Sequence, residues 1–289
     1  MLFEGSWIYG WVWWEALSQS FKAELVHLAP ILVSLLFGVS CALLLMTSAM
    51  PLYKVTPFEE NPTGSVGNAL YFVVLVGIGA SVLFFLLRRK KLRLIVFVTG
   101  FALATAVFLL SFIYLYAFFL LFAPLSVEVL IAVSAVMTFL AGYVVFKTRS
   151  KMGDVIVLLL GGALGTLLGA SIQTLSAILI LCFLAVYDAF AVYRGPVGKI
   201  ARTGLEKLRG LSFSFKDIQM GLGDLTFYSM LVGHMLFYFG FLPCLASMVG
   251  ILLGCFLAFR MLERGGIFPG LPIPIFLGLG LGFLVAFLV

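Results

Sequence analysis

Nine apolar stretches, each near the length of a membrane helix, follow one another along this chain with short polar breaks between them. They cover residues 29–49, 68–87, 93–122, 126–146, 154–171, 173–193, 218–239, 241–260 and 267–289. About 20 apolar residues in helix cross ~30 Å of hydrocarbon. The pattern therefore predicts an all-α polytopic membrane protein with nine transmembrane helices. The third stretch is long enough to tilt, or to end near Phe118. Pro124 breaks it from the fourth, which Ser126 and Glu128 supply with a cap and an acidic first turn. Only Ser171-Ile172-Gln173 separates the fifth stretch from the sixth.

The polar breaks carry an alternating charge. Arg88, Arg89, Lys90, Lys91 and Arg93 follow the second stretch, and Lys147, Arg149 and Lys151 follow the fourth. Arg194, Lys199, Arg202, Lys207, Arg209 and Lys216 follow the sixth, and Arg260 and Arg264 end the eighth. These are 16 of the 18 basic residues; the other breaks hold only Lys54, and Lys22 lies in the N-terminal tail. Basic loops stay on the cytoplasmic side. This places the N-terminus in the cytoplasm and the C-terminus outside. Gaining or losing one helix would destroy the alternation. Four regions result: an interfacial aromatic segment over 1–26, transmembrane helices 1–6 over 27–193, a basic cytoplasmic loop over 194–217, and helices 7–9 over 218–289.

Composition narrows the class further. Only 10% of residues are charged and 63% are hydrophobic, against about 25% charged in a soluble domain. Mean hydropathy is +1.22. The basic excess sits in loops between apolar runs and reads as a topology and lipid-headgroup signal, with no nucleic-acid partner implied. All four tryptophans, Trp7, Trp11, Trp13 and Trp14, fall at the start of the chain and suit an aromatic anchor lying on the membrane. Glu4, Glu15 and Glu24 interrupt that region, which does not read as a signal peptide. Cys41, Cys182, Cys244 and Cys255 lie in or beside apolar runs without a CxxC pair, as small packing residues.

Against this background two carboxylates stand out. Asp188, in Tyr187-Asp188, lies in the sixth stretch, and Asp224, in Gly221-Leu222-Gly223-Asp224, lies in the seventh. An acid at membrane depth is costly and marks a functional site. With the helices antiparallel, Asp188 is ~9 Å from the cytoplasmic end and Asp224 ~12 Å, at 1.5 Å per residue. Two carboxyls a few Å apart share a proton and titrate as a pair. One can take a proton from water while the other polarises a carbonyl and later serves a leaving amine. That chemistry needs no metal or other cofactor. Gly221 and Gly223 leave space beside Asp224 for an approaching backbone. Pro269-Gly270-Leu271-Pro272, at the start of the ninth stretch, resists regular helix and predicts a distorted segment beside the site.

Tyr187-Asp188, Gly221-Leu222-Gly223-Asp224 and Pro269-Gly270-Leu271-Pro272 occur in the order and spans of the presenilin/signal peptide peptidase family, the GxGD intramembrane aspartyl proteases. The run Gly221–Ser229 and the inferred topology resemble presenilins more than signal peptide peptidases. The resemblance implies that Asp188 and Asp224 are the catalytic pair and that Tyr187, Gly221, Leu222 and Gly223 shape the site. It also implies that Pro269, Gly270, Leu271 and Pro272 place substrate, and that substrates are single-pass transmembrane proteins. Gly270 stands where the family usually has Ala. The loop Arg194–Asp217 lacks the long segment cut during maturation of eukaryotic presenilins, and no partner subunit is evident. The chain is similar to a microbial, archaeal-type homologue of the cell membrane.

Other polar residues read structurally. Asp154 and Asp217 suit helix N-termini, with Ser214 and Asp217 as a capping box. His234 is ~15 Å along the helix from Asp224, a packing or hydrogen-bonding residue, and His27 is interfacial. Gly161, Gly165 and Gly169 form overlapping GxxxG patterns that serve internal packing or self-association into a homo-oligomer. The rival reading is a proton- or cation-coupled transporter using the two aspartates; it predicts matched interrupted helices, whereas the proline break lies only in the ninth stretch. Prepilin peptidase, another GxGD membrane protease, lacks the Tyr-Asp and Pro-x-Leu-Pro companions. There is no HExxH or GxSG.

Overall fold

The computed structural model describes residues 22–89, 91–123, 125–147, 151–193, 212–215, 218–265 and 268–289. After a 3-10 turn at Leu25–Leu28, nine α-helices follow among the described residues. They are α1 (Ala29–Thr47), α2 (Pro62–Arg88), α3 (Leu92–Phe122), α4 (Val127–Phe146), α5 (Lys151–Ser171), α6 (Thr174–Tyr193), α7 (Leu222–Phe239), α8 (Phe241–Gly265) and α9 (Pro272–Leu288). A two-stranded hairpin, β1 (Ser212–Phe215) and β2 (Ile218–Gly221), precedes α7. Seven of the helices, α1–α6 and α8, are long and apolar enough to cross a membrane. The other two, α7 with 18 residues and α9 with 17, are the ones whose starts carry the unusual motifs.

The expected divisions hold: α5 ends at Ser171 and α6 begins at Thr174. Ser126 stands at the N-cap of α4 with Glu128 in its first turn, and Asp154 lies in the first turn of α5. The third helix does not stop near Phe118 but continues to Phe122. A larger departure concerns the seventh. Residues 218–221 are not helical: β2 pairs antiparallel with β1, Phe213 opposite Met220 and Ser214 opposite Gln219. Ser214, expected in a capping box with Asp217, has its backbone in the hairpin; Asp217 lies outside the described residues. Ser212-Phe213-Ser214-Phe215 alternates with period two, a strand pattern, and buries Phe213 while Met220 is buried opposite. Two glycines in three residues, Gly221 and Gly223, further weaken helix there. The aromatic segment over 1–21 and the basic loop over 194–211 also lie outside the described residues.

The bundle is organised around α5, which packs against α7 and α1, with α4 on another side. Its glycines make this possible. A Cβ at Gly161, Gly165 or Gly169 would come within 2.8 Å of the Leu225 Cβ, the Met230 amide nitrogen or the His234 amide nitrogen of α7. The stripe therefore serves internal contact. Without water to drive association, close approach and dispersion hold such helices together. The same device joins α8 to α9, where a Cβ at Gly254 would meet Pro274 and one at Gly250 would meet Leu277. Gly240, at φ +96°, makes the tight turn from α7 into α8.

Buried polar groups find partners inside the bundle. Asn68 of α2 donates to Ser176 Oγ of α6 at 3.0 Å and to the Phe58 carbonyl at 3.2 Å, and accepts from the Phe58 amide at 3.0 Å. This ties the α1–α2 connection to the start of α6. Tyr114 donates to the Ala163 carbonyl at 2.7 Å, and Thr166 to the Gly38 carbonyl at 2.9 Å. Among these helices α6, α7 and α9 also touch one another, and the motif residues lie where they meet.

Candidate active site

Asp188 sits five residues before the end of α6, about 8 Å along the axis at helical rise. Asp224 is the third residue of α7, directly after the hairpin, with Gly221 as N-cap. Of the six residues of helix expected before it, Ile218–Gly221 form β2 instead. Its carboxyl group thus lies in a helix's first turn, where backbone N–H groups are open and the dipole favours negative charge. Both aspartates are half-buried.

The third element brings them together. Helix α9 begins at Pro272, with Leu271 as N-cap, so Pro269-Gly270-Leu271 runs outside regular helix. Pro272 is itself an ordinary first-turn proline; the distortion lies in the three residues before it. The Leu271 N–H donates to Asp188 Oδ2 at 3.0 Å. On Asp224, a Cβ built on Gly270 would sit 3.0 Å from Oδ2 and 3.3 Å from Cγ. The two carboxyl groups therefore flank a single peptide unit, Gly270–Leu271. Only a residue without a side chain lets Asp224 approach this closely without displacing it. Non-helical backbone at membrane depth requires partners, and here a carboxylate and a tyrosine supply them: the Tyr228 hydroxyl donates to the Gly270 carbonyl at 2.7 Å.

The remaining motif residues divide. Pro269 and Leu271 are buried against the bundle. Gly221 and Gly223 leave open space: a Cβ at Gly223 would meet only Phe227, at 3.9 Å, and one at Gly221 would come no nearer Asp224 than 4.0 Å. Leu222 packs against Gly161 of α5 and supports α7 from behind. Tyr187 points elsewhere. Its hydroxyl lies 3.3 Å from where a Gly77 Cβ would be, so it rests on α2.

Behind Asp224 is a cavity of about 100 Å³, bordered by Gln219 and Met220 of β2, Tyr228 and Cys255. At ~30 Å³ per molecule it has room for about three waters. Sequence reasoning missed Tyr228, Gln219 and Cys255. Tyr228 carried a usable signal, since it follows Asp224 by four residues and so shares its helix face. The strand had the period-two alternation of Ser212–Phe215. Cys255 had none, because its place depends on how α8 packs. His234 is remote from the pair: its Nδ1 lies 2.8 Å from the Gly169 carbonyl and its ring stacks on Tyr238 at 4.4 Å. Among the described residues, no cluster of three or more His, Cys, Asp or Glu side chains comes together.

The fold has solved counterparts. The structure of a presenilin family intramembrane aspartate protease in a C222 crystal form superposes with a TM-score of 0.67 at 24% identity, covering 91% of this chain and 99% of that one. A presenilin family intramembrane aspartate protease in a P2 form gives 0.65 at 26% identity, covering 92% and 99%. No curated protein matches this chain. A family model described as signal-peptide peptidase, presenilin aspartyl protease matches residues 33–202, from α1 through Tyr187-Asp188. More than half of the chain falls within that match, and the chain belongs to the presenilin and signal-peptide-peptidase family of intramembrane aspartyl proteases.

Proposed function

We propose that Asp188 and Asp224 are the catalytic pair and that they hydrolyse peptide bonds within transmembrane helices by activating water. The observation that carries this reading is the convergence of both carboxyls on the Gly270–Leu271 peptide. Each cycle needs one carboxylate and one carboxylic acid. The carboxylate takes a proton from water as its oxygen attacks the scissile carbonyl carbon, while the acid donates to the carbonyl oxygen. The tetrahedral intermediate then loses the amine. The C–N bond breaks, the nitrogen receives the proton taken from water, and the oxygen's proton returns to the pair. Like charges so close favour one shared proton, so the roles belong to the pair and not to fixed residues.

The surroundings fit a helix-cleaving enzyme. A helix hides its peptide bonds, so a substrate must unwind locally before either carboxyl can reach it. The open flank at Gly221 and Gly223 gives an unwound backbone room beside Asp224, and the cavity behind supplies space for water. Gly221 and Gly223 form this flank, Leu222 supports α7 behind it and Tyr187 braces α6 on α2; Pro269 to Pro272 place the substrate. Single-pass membrane proteins are the substrate class, in a multi-pass enzyme of a microbial cell membrane.

The mechanism predicts a pharmacology. Hydroxyl-bearing mimics of the tetrahedral intermediate should block cleavage of a transmembrane peptide, and metal chelators should not. Loss of activity in chelator with recovery on adding zinc would overturn the metal-free mechanism.

A further inference from the structure

The Gly270–Leu271 peptide is held at both ends. Its carbonyl oxygen accepts from the Tyr228 hydroxyl at 2.7 Å, and its N–H donates to Asp188 Oδ2 at 3.0 Å. The α-carbon that begins it lies against the Asp224 carboxyl. A trans peptide is planar and rigid, with C=O and N–H pointing to opposite sides. Fixing the oxygen therefore fixes the direction of the N–H. Donation to a carbonyl also polarises the amide and strengthens its N–H as a donor, since linked hydrogen bonds reinforce one another. Tyr228 itself is rigidly placed: it is 1% exposed, four residues after Asp224 on the same face of α7.

From this we infer that Tyr228 is a positioning residue for the catalytic pair, acting on Asp188 through the Gly270–Leu271 peptide. The inference rests on the assignment of Asp188 and Asp224 as the catalytic groups. Tyr228 and Asp224 share one helix, so the link also sets how far Asp188 stands from Asp224. Without the hydroxyl, the Gly270 carbonyl loses its partner, the peptide is free to rotate, and the Leu271 N–H no longer holds the Asp188 carboxylate at its station. Affinity comes from the open flank at Gly221 and Gly223, whereas the Pro269–Pro272 segment only orients the bound peptide against the pair, so freeing Gly270–Leu271 disturbs orientation and not affinity. The effect belongs to turnover.

The test is steady-state cleavage of a synthetic single-span transmembrane peptide by purified full-length protein. Tyr228→Phe removes only the hydroxyl and keeps the buried ring. It should lower kcat on the order of 10- to 100-fold, the range for a lost positioning bond, with KM within about two-fold of wild type. Affinity for a hydroxyl-bearing transition-state mimic should fall in parallel with kcat, because only the reaction geometry is disturbed. Tyr238→Phe, which removes a hydroxyl at the far end of the same helix, should leave kcat unchanged. If Tyr228→Phe is folded and its kcat stays within about two-fold of wild type, the inference fails. If KM rises instead with kcat intact, Tyr228 contacts substrate and the inference fails equally. Asp188→Asn and Asp224→Asn run beside it: inactivity in both with full Tyr228→Phe turnover refutes the positioning role alone, whereas activity in either refutes the catalytic pair.

Discussion

The Leu271 N–H has no helical partner and donates to Asp188 Oδ2 instead, which helps to fix where Asp188 rests. Pro269 has no N–H to give to a helical turn, and Pro272 fixes its own φ at the first turn of α9. Replacing Pro272 by Ala relaxes this constraint at the first turn of α9. Activity should fall by more than stability does, measured as peptide cleavage against thermal unfolding of the same preparation; unchanged turnover would reduce Pro272 to a helix start. His234 works in the opposite sense. Its only described hydrogen bond is to the Gly169 carbonyl, deep between α5 and α7. His234→Phe should cost about 1–3 kcal/mol by orphaning that carbonyl, read as a lower unfolding temperature, while substrate KM is unaffected. At this scale the aspartates were legible in the sequence because a carboxyl in an apolar run has few bland explanations. Tyr228 was hidden because a tyrosine in a membrane helix has many.

Two elements explain the placement of the pair. Helix α5 gives up side chains along one stripe so that α7 can lie close, and α7 carries Asp224. Gly165→Ala should push a methyl against the Met230 backbone and cost about 1–3 kcal/mol as overpacking. Gly142→Ala, where nothing lies within 4 Å, should be neutral or stabilising by up to about 1 kcal/mol through helix propensity. Thermal unfolding of the two variants in one detergent checks this; equal losses would show that the α5–α7 contact is looser than described. The second element is the hairpin. Hydropathy alone extends the seventh helix back to Ile218, since an apolar run does not distinguish strand from helix. Period-two alternation in Ser212–Phe215 is the counter-signal, too short to outweigh the longer apolar run after it. The error was local, yet it moved Asp224 from mid-helix to a helix start, where an acid is far better accommodated.

Across the whole molecule the apolar pattern and the alternation of basic loops were enough to predict nine helices, because crossing hydrocarbon demands a fixed length and full internal hydrogen bonding. Which helices touch was not legible, since every lipid-facing and core-facing position reads as apolar. The order of packing came from glycines whose partners only the fold reveals. The orientation drawn from the basic loops remains a prediction: a tag after Val289 should be accessible to protease added outside intact cells, and one before Met1 only after permeabilisation. Reversed accessibility would invert the assignment and place the site near the opposite face. The central claim, that the two carboxyls meeting at Gly270–Leu271 perform the hydrolysis, has a more direct test. Purified wild type, Asp188→Asn and Asp224→Asn are incubated with one transmembrane peptide, and the products are weighed by mass spectrometry. Wild type should cut within the apolar segment, and both variants, with unfolding temperatures near that of wild type, should give no product. Wild-type cleavage by either folded variant would contradict the account.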